Sequence, residues 1–411
     1  MPEFLKLKSV NEARAVFYQA LGEVHPGAEW IPSLSALGRV TAESVVAQEY
    51  LPAFSRSAMD GYAVQAADTF GASESLPLRL KIVGELPMGA EPALVLHPGE
   101  AALIHTGGML AQGVDAVVAL ENCRALSSLV LEVFTPVTSG ENVIFKGEDV
   151  KPGKVVIPAG KRIRSAEVGG LFSLGVTQVS VVQKPLFGIL SSGDEVVPPT
   201  AIPSIGQVRD INSESLAAVV EAAGGRYQFY PIVPDDREQL RQSIRLAYQQ
   251  SDAVLITAGS SVSSRDITAE LIHELGQPGV LVHGINIRPG KPTILAVCNG
   301  KPVIGMPGNP MSALVIAELF LKPLVAWMLG EINPAPRPML QARLTVNLSS
   351  QVGKEEWLPV RLVPQGAEWL AEPIFFKSNL IFQLADAAGL LHIEPDAAGK
   401  MAGEMVDVLI F

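Results

Sequence analysis

The stretch from 184 to 330 constrains the fold most, because strand-like apolar runs and amphipathic helices alternate along it. LFGILSSG reads as a strand, NSESLAAVVEAAGG as a helix, RYQFYPIV as a strand, DREQLRQSIRLAYQQ as a helix and AVLITAG as a strand. DITAELIHELG then reads as a helix. GVLVHGI, TILAVC and PVIGM read as strands, and a long apolar helix closes the segment. Parallel strands need a crossover of a dozen or more residues, which a helix supplies, so this order predicts an open, mostly parallel sheet with helices on both faces. Ligands in such sheets sit beyond the carboxyl ends of the strands. Leu216, Val219, Val220 and Ala223 should form the inner face of the first of these helices, with Asn212 or Ser213 as N-cap and Gly224 as its stop. Leu240, Ile244 and Ala247 should point inward from the second.

At 411 residues the chain is too long for one core. KSVNEARAVFYQAL reads as a helix in which Ser9 and Glu12 have capping-box spacing and Ala13, Val16, Phe17, Ala20 and Leu21 share a face. From 54 to 150 short β-rich runs appear (LRLKIVG, AALIHTG, DAVVALE, LVLEVFTP), punctuated by Gly, Pro and Ser. The stretch 151–183 holds one short helix between strands and should pack with 28–53, which makes 54–150 an insertion. After the proline-rich NPAPRP the chain turns β again, which fits a small C-terminal β-barrel or sandwich. The expected division is 1–27 with 184–332 as the α/β domain, 28–53 with 151–183 as a linking domain, 54–150 as a β-rich inserted domain and 333–411 as a C-terminal β-barrel.

Composition narrows the partners. The net charge of −11 repels nucleic acid and anionic lipid, so neither is expected as a partner. Two cysteines, Cys123 and Cys298, suggest no disulfide framework, and MPEFLKLKSV lacks an apolar signal core. The longest apolar run, 314–329, is broken by Glu318, Lys322 and Pro323 and reads as a buried helix. A cytoplasmic protein is expected.

Three of the four loops that follow strands of the expected sheet carry acids. SSGDEV offers Glu195 beside Asp194, VPDD offers Asp235 and Asp236, and AGSSVSSRD is closed by Asp266. Each acid suits a helix N-cap, but all three lie on one sheet edge, where clustered carboxylates could hold Mg²⁺ together with substrate phosphates. A cation would also explain a carboxylate in a loop of small residues that otherwise suits phosphate. The fourth loop, GMPGNPMSAL, places Asn309 as a cap and Pro310 at the first helical position, which leaves backbone N–H groups aimed at the cleft. Upstream, NIRPGKP supplies Arg288 and Lys291, either an anion clamp or a solvated turn. In SRSAMDGYAV, Asp60-Gly61 reads as a hairpin turn. IHTGGML ends a strand at Thr106, and KGED adds an acidic turn.

SAMDGYAV, GED at 147–149, SSGDEV, PDD, RPGKP and MPGNPMSAL occur in this order in molybdopterin molybdenumtransferases, the MoeA proteins related to the enzymatic domain of gephyrin. The chain resembles that family over essentially its whole length. The resemblance implies a MoaB/MogA-like α/β domain and a homodimer whose active cleft is shared between subunits. It implies insertion of molybdate into adenylylated molybdopterin with Mg²⁺ as the metal and release of AMP, with a possible hand-over from a molybdopterin adenylyltransferase. By analogy Asp60 works from the partner subunit and Thr106 lines the same cleft. Glu195, Asp235 and Asp266 position metal and phosphoanhydride. Gly259, Ser260, Ser261, Ser263 and Ser264 hold phosphate, while Pro307, Gly308, Asn309 and Pro310 shape the pterin end. Arg288 and Lys291 contact the anionic substrate, and Ser378 matches a family serine.

The chain also departs from the family pattern. GSSVSSRD stands where many relatives read GGVSVG followed by acid-x-Asp, TGGML replaces TGAPxP, and Ile144, Phe145 and Lys146 replace an arginine-rich run. Gly284 and Arg288 occupy two positions that are lysine in some relatives. A non-catalytic molybdopterin-binding or scaffold paralogue is the alternative that the altered loop suggests. A nucleotide-handling enzyme of another kind is a third reading, which the flanking β-rich segments disfavour.

Overall fold

The computed structural model describes residues 7–257, 262–375 and 380–411, with backbone alone for 262–266. The alternating segment forms a six-stranded sheet from β1 (Leu186–Ser191), β2 (Arg226–Phe229), β3 (Ala253–Thr257), β4 (Pro278–His283), β5 (Ile294–Cys298) and β6 (Lys301–Met306). Their spatial order is β2-β1-β3-β6-β5-β4. Pairings among β2, β1, β3 and β6 are parallel, and β5 alone reverses. The central strands β1, β3, β5 and β6 are almost wholly buried, as strands covered on both faces must be.

Helix α1 (Val10–Leu21) packs on β4 and β5, far from its sequence neighbours. Its capping box forms as expected: the Ser9 hydroxyl accepts from the Glu12 amide at 3.2 Å and the Glu12 carboxylate accepts from the Ser9 amide at 2.8 Å. Helix α2 (Asn212–Ala223) buries Leu216 and Val220, packs Val219 and Ala223 partly buried against the core, and stops at Gly224 in the left-handed region (φ 104°). Its expected N-cap is corrected. The amide of Ser213 donates to the carboxylate of Asp210 at 3.0 Å, and Asn212 is already helical. Helix α3 (Arg237–Gln250) buries Leu240, Ile244 and Ala247, and Asp236 caps it through the Gln239 amide at 2.8 Å. Helix α4 spans Val262–His273.

The last helical stretch, Pro310–Met328, is 19 residues long with mean hydropathy 1.6, long and apolar enough to cross a membrane by those measures alone. Here it lies in the core, with Phe320, Leu321 and Leu324 buried. It is not regular throughout. Helix α5 (Pro310–Ile316) passes into a π-turn at Ala317–Leu321 before α6 (Lys322–Met328). Pro323 explains the break, since it has no N–H for the carbonyl four residues back. That carbonyl, of Leu319, accepts instead from the Arg14 guanidinium at 3.1 Å.

Strands Ala28–Pro32 and Gln178–Val182 pair antiparallel, and Val45–Val46 pairs with Val155–Ile157. A small core of Ala36, Ile157, Ile163, Leu171, Val179 and Val181 lies between them. The chain between these pairs forms a separate six-stranded sheet with its own core around Val64, Ala101, Val118 and Leu131. This sheet is thus inserted between paired strands. At the C-terminus, Met339–Leu344, Glu355–Gln365, Glu368–Pro373, Gly389–Ile393 and Met405–Ile410 close into a five-stranded barrel, because Glu355–Gln365 pairs with both Glu368–Pro373 and Gly389–Ile393. A short strand, Ile287–Arg288, joins the barrel's long strand in parallel, so the barrel is stitched to the α/β body.

Candidate active site

The carboxyl ends of β1, β3 and β6 lie in register: Ser191 pairs with Thr257, and Thr257 with Met306. The Ser191 hydroxyl bonds those of Thr257 at 2.6 Å and Ser213 at 2.8 Å. Above them opens a cleft of about 360 Å³ whose walls include Ser192, Glu195, Asn212, Thr257, Gly308 and Pro310. The Asn212 amide group donates to the Gly308 carbonyl at 2.8 Å, which fixes the turn before α5 against the start of α2.

Two acidic loops meet at this edge. Ser192 bridges Val233, and the Gly193 amide donates to the Val233 carbonyl at 3.0 Å. That stitching brings Asp194 and Glu195 beside Asp235, whose amide donates to the Asp194 carboxylate at 3.1 Å. Partial shielding of its carboxyl, and then the charges of Asp194 and Glu195, push the Asp235 pKa above the ordinary range. A cation would relieve this crowding. Among the described residues no three His, Cys, Asp or Glu side chains form a complete metal cage. Mg²⁺ asks for less, since one or two carboxylates suffice when phosphate supplies other oxygens. Hard carboxylate donors at Glu195 and Asp235 fit it.

Gly259, Ser260 and Ser261 lie outside the described residues, as do the side chains of Ser263, Ser264 and Asp266. The backbone nonetheless corrects one expectation. α4 begins at Val262, so Ser263, Ser264 and Asp266 sit on its first turns and Asp266 does not close a loop. No glycine or proline interrupts VSSRD, and serine is well tolerated where helices begin. Ser378 also lies outside the described residues.

A second, larger cleft of about 870 Å³ lies between the RPGKP loop and the barrel. Arg288, Lys291 and Lys354 bring cations to its walls, and Glu356 and Trp357 come from the barrel strand. Asn309 lines both clefts. Asn309 holds the N-cap position and Pro310 the first helical position, as expected, yet the Asn309 side chain makes no capping bond. Pro307 is buried behind that turn.

Asp60 and Thr106 meet in the inserted sheet. One oxygen of Asp60 accepts from the Thr106 amide at 2.7 Å and from its hydroxyl at 3.0 Å. His105 stands beside them, with Nδ1 3.8 Å from the same oxygen and Nε2 3.0 Å from Glu85. The hairpin expected at Asp60-Gly61 is corrected. Arg56–Ser57 pairs with Val143–Ile144, whereas Gly61–Val64 pairs with Glu100–Ile104 and Ala116–Ala119. Gly61 is required by close approach instead, since a Cβ there would lie 2.1 Å from the Val118 carbonyl oxygen.

Sequence reasoning missed Ser191, Ser192, Asn212 and Thr257 on the smaller cleft and Lys354 and Glu356 on the larger. For Ser191 and Thr257 a signal existed, because each is the polar last residue of an apolar strand that ends at the ligand edge. For Lys354 and Glu356 there was none, since their approach to RPGKP depends on how the barrel docks.

Comparison with known proteins matches this architecture segment by segment. Residues 8–175 match the MoeA N-terminal region (domain I and II), residues 188–327 the family described as "Probable molybdopterin binding domain", and residues 341–411 the MoeA C-terminal region (domain IV). A Methanocaldococcus jannaschii protein named for molybdopterin biosynthesis is 36% identical over 98% of both chains. The molybdopterin molybdenumtransferase of Bacillus subtilis is 30% identical over 98% of this chain and 93% of its own. A solved MoeA structure from Pyrococcus horikoshii superposes with a TM-score of 0.84 at 29% identity, covering 99% of this chain and 100% of that one. The chain therefore belongs to the MoeA family of molybdopterin molybdenumtransferases, enzymes of molybdenum cofactor biosynthesis.

Proposed function

We propose that this chain inserts molybdate into adenylylated molybdopterin with Mg²⁺, releasing AMP and giving Mo-molybdopterin. One observation carries the reading: an acidic cleft at the strand ends and a basic cleft beside the barrel share the wall residue Asn309. A nucleotide-linked pterin with an incoming oxyanion needs both, a cation-holding end for the phosphoanhydride and a cationic end for free anions.

Glu195 and Asp235, with Asp266, would hold Mg²⁺, which when bound supplies positive charge to the phosphoryl oxygens as the anhydride breaks. Gly259, Ser260, Ser261, Ser263 and Ser264 offer amide and hydroxyl donors to phosphate near the start of α4. Pro307, Gly308, Asn309 and Pro310 shape the pterin end, and Asn212 keeps that turn in place. Arg288 and Lys291 attract the anionic substrates, and Ser378 would offer them a further hydroxyl donor. Asp60, fixed by Thr106, acts from the partner subunit of a homodimer as a second carboxylate facing the reacting groups. The division into 1–27 with 184–332, 28–53 with 151–183, 54–150 and 333–411 gives each part its own task in this scheme. A reducing cytoplasm suits the two unpaired cysteines, Cys123 and Cys298, whose thiol pKa values burial raises to about 11. A molybdopterin adenylyltransferase would supply the substrate.

The test is to give the purified chain adenylylated molybdopterin, Mg²⁺ and molybdate. AMP release with formation of active molybdenum cofactor supports the reading. Tight binding of the pterin nucleotide with no AMP released would instead mark a non-catalytic paralogue.

A further inference from the structure

We propose that Glu356 is a positioning residue for Arg288, a buried carboxylate on the barrel wall that holds the guanidinium at the larger cleft in the orientation that receives an oxyanion. The inference rests on the reading of that cleft given above. Glu356 is only 4% exposed, yet it lines the cleft, and its Oε1 accepts no hydrogen bond. Its one ion pair among the described residues is with Arg288, at 3.6 Å from Nη1 to Oε1. A buried carboxylate without compensation is strongly unfavourable, so the two groups are tied energetically.

The backbone enforces the pair. Arg288 and Glu356 are register partners where Ile287–Arg288 joins the barrel's long strand. The carboxylate comes from a sheet, whereas the Arg288 side chain is 70% exposed. A free arginine spreads over many rotamers, and an anion that binds it bears the loss of that freedom. Drawing one edge of the guanidinium towards Glu356 restricts those rotamers and leaves its other N–H groups for the cleft.

Position and charge make opposite predictions here. The cleft carries Arg288, Lys291 and Lys354, and Glu356 subtracts from their positive field. If only the summed field mattered, removing the carboxylate would tighten oxyanion binding. If Glu356 positions Arg288, removing it weakens binding although the cleft becomes more positive.

Titration of the full chain with inorganic molybdate, followed by calorimetry, distinguishes the two for Glu356→Gln, Arg288→Ala and the double variant. The expected result is that Glu356→Gln weakens binding by about three- to tenfold, the size of an ordinary coupling between contacting residues, and has no weakening effect once Arg288 is alanine. Glu356→Asp, which keeps a carboxylate on a shorter arm, should fall between the two. Equal or tighter binding by Glu356→Gln would overturn the proposal, and so would an equal weakening in both Arg288 backgrounds, which would mark general damage to the barrel. A loss in Arg288→Ala but not in Glu356→Gln would overturn the positioning role alone. Failure of the unaltered chain to bind molybdate would overturn the role and the reading of the cleft together.

Discussion

Thr106 donates both its amide and its hydroxyl to the same oxygen of Asp60, at 2.7 and 3.0 Å. The amide bond first and the hydroxyl bond second hold the Asp60 pKa below the ordinary carboxylate range, with His105 a smaller influence. Asp60 is therefore an oriented, ionised carboxylate even though it is open to solvent.

Thr106→Val removes the hydroxyl bond and keeps the amide bond. The Asp60 pKa should move up towards its ordinary value, and the acid limb of any Asp60-dependent activity should move up with it. Carboxyl carbon NMR across an acid titration reads this directly, and an unmoved Asp60 titration would show that the hydroxyl contributes nothing.

Shared active clefts can be tested by mixing subunits. Asp60→Asn and Asp235→Asn should each reduce AMP release by about a hundredfold or more, as loss of a positioned charged group commonly does. If Asp60 serves the partner's cleft, a mixed dimer of the two variants has one doubly altered cleft and one intact cleft. Random 1:1 assembly should then restore about a quarter of the clefts. No recovery on mixing would place both residues in one subunit's cleft.

Asp235 should cost the folded state stability. Its pKa is raised in the fold, so the folded chain binds that proton more tightly than the unfolded chain does. The associated stability is present at low pH and lost as pH rises through the carboxylate range. Asp235→Asn should therefore melt higher than the unaltered protein at neutral pH, with the difference shrinking as pH falls through the carboxylate range. Mg²⁺ should raise the melting point of the unaltered chain more than that of Asp235→Asn. A lower melting point for the variant at pH 7 would contradict the assignment.

Gly61→Ala should be severely destabilising. The added methyl would meet the Val118 carbonyl oxygen at 2.1 Å, and neither strand can withdraw without breaking its pairing. A loss of about 2–4 kcal/mol is expected from denaturant unfolding. A near-neutral effect would mean that the paired strands separate easily here.

The α/β sheet was legible in the sequence because its buried strands are long apolar runs and its helices carry regular inner faces, such as Leu240, Ile244 and Ala247. The capping box at Ser9 and the stop at Gly224 were legible for the same reason, since both are local hydrogen-bonding rules. Non-local facts were harder to read. Gly389–Ile393, the strand that closes the barrel, is only five residues of GLLHI and has no alternation to announce it. Asp60-Gly61 has the composition of a turn, and only the approach of Val118 shows that the glycine serves packing. At the start of α2 the Asp210 carboxylate, rather than Asn212 or Ser213, accepts the Ser213 amide, while the Asn212 amide group donates across the cleft to the Gly308 carbonyl. In the site, the acidic loops were readable one at a time from strand ends. The approach of Asp194 and Glu195 to Asp235 depends on the bridge between Ser192 and Val233, which no local pattern encodes.

A crystal soaked with AMP and Mn²⁺ would show, through the metal's anomalous signal, whether separated carboxylates share a cation with a nucleotide phosphate. A metal peak is expected within ligand distance of the Glu195 and Asp235 carboxylates and of an AMP phosphate oxygen near the start of α4. AMP bound elsewhere, or in this cleft with neither carboxylate near a metal, would rule that shared cation out.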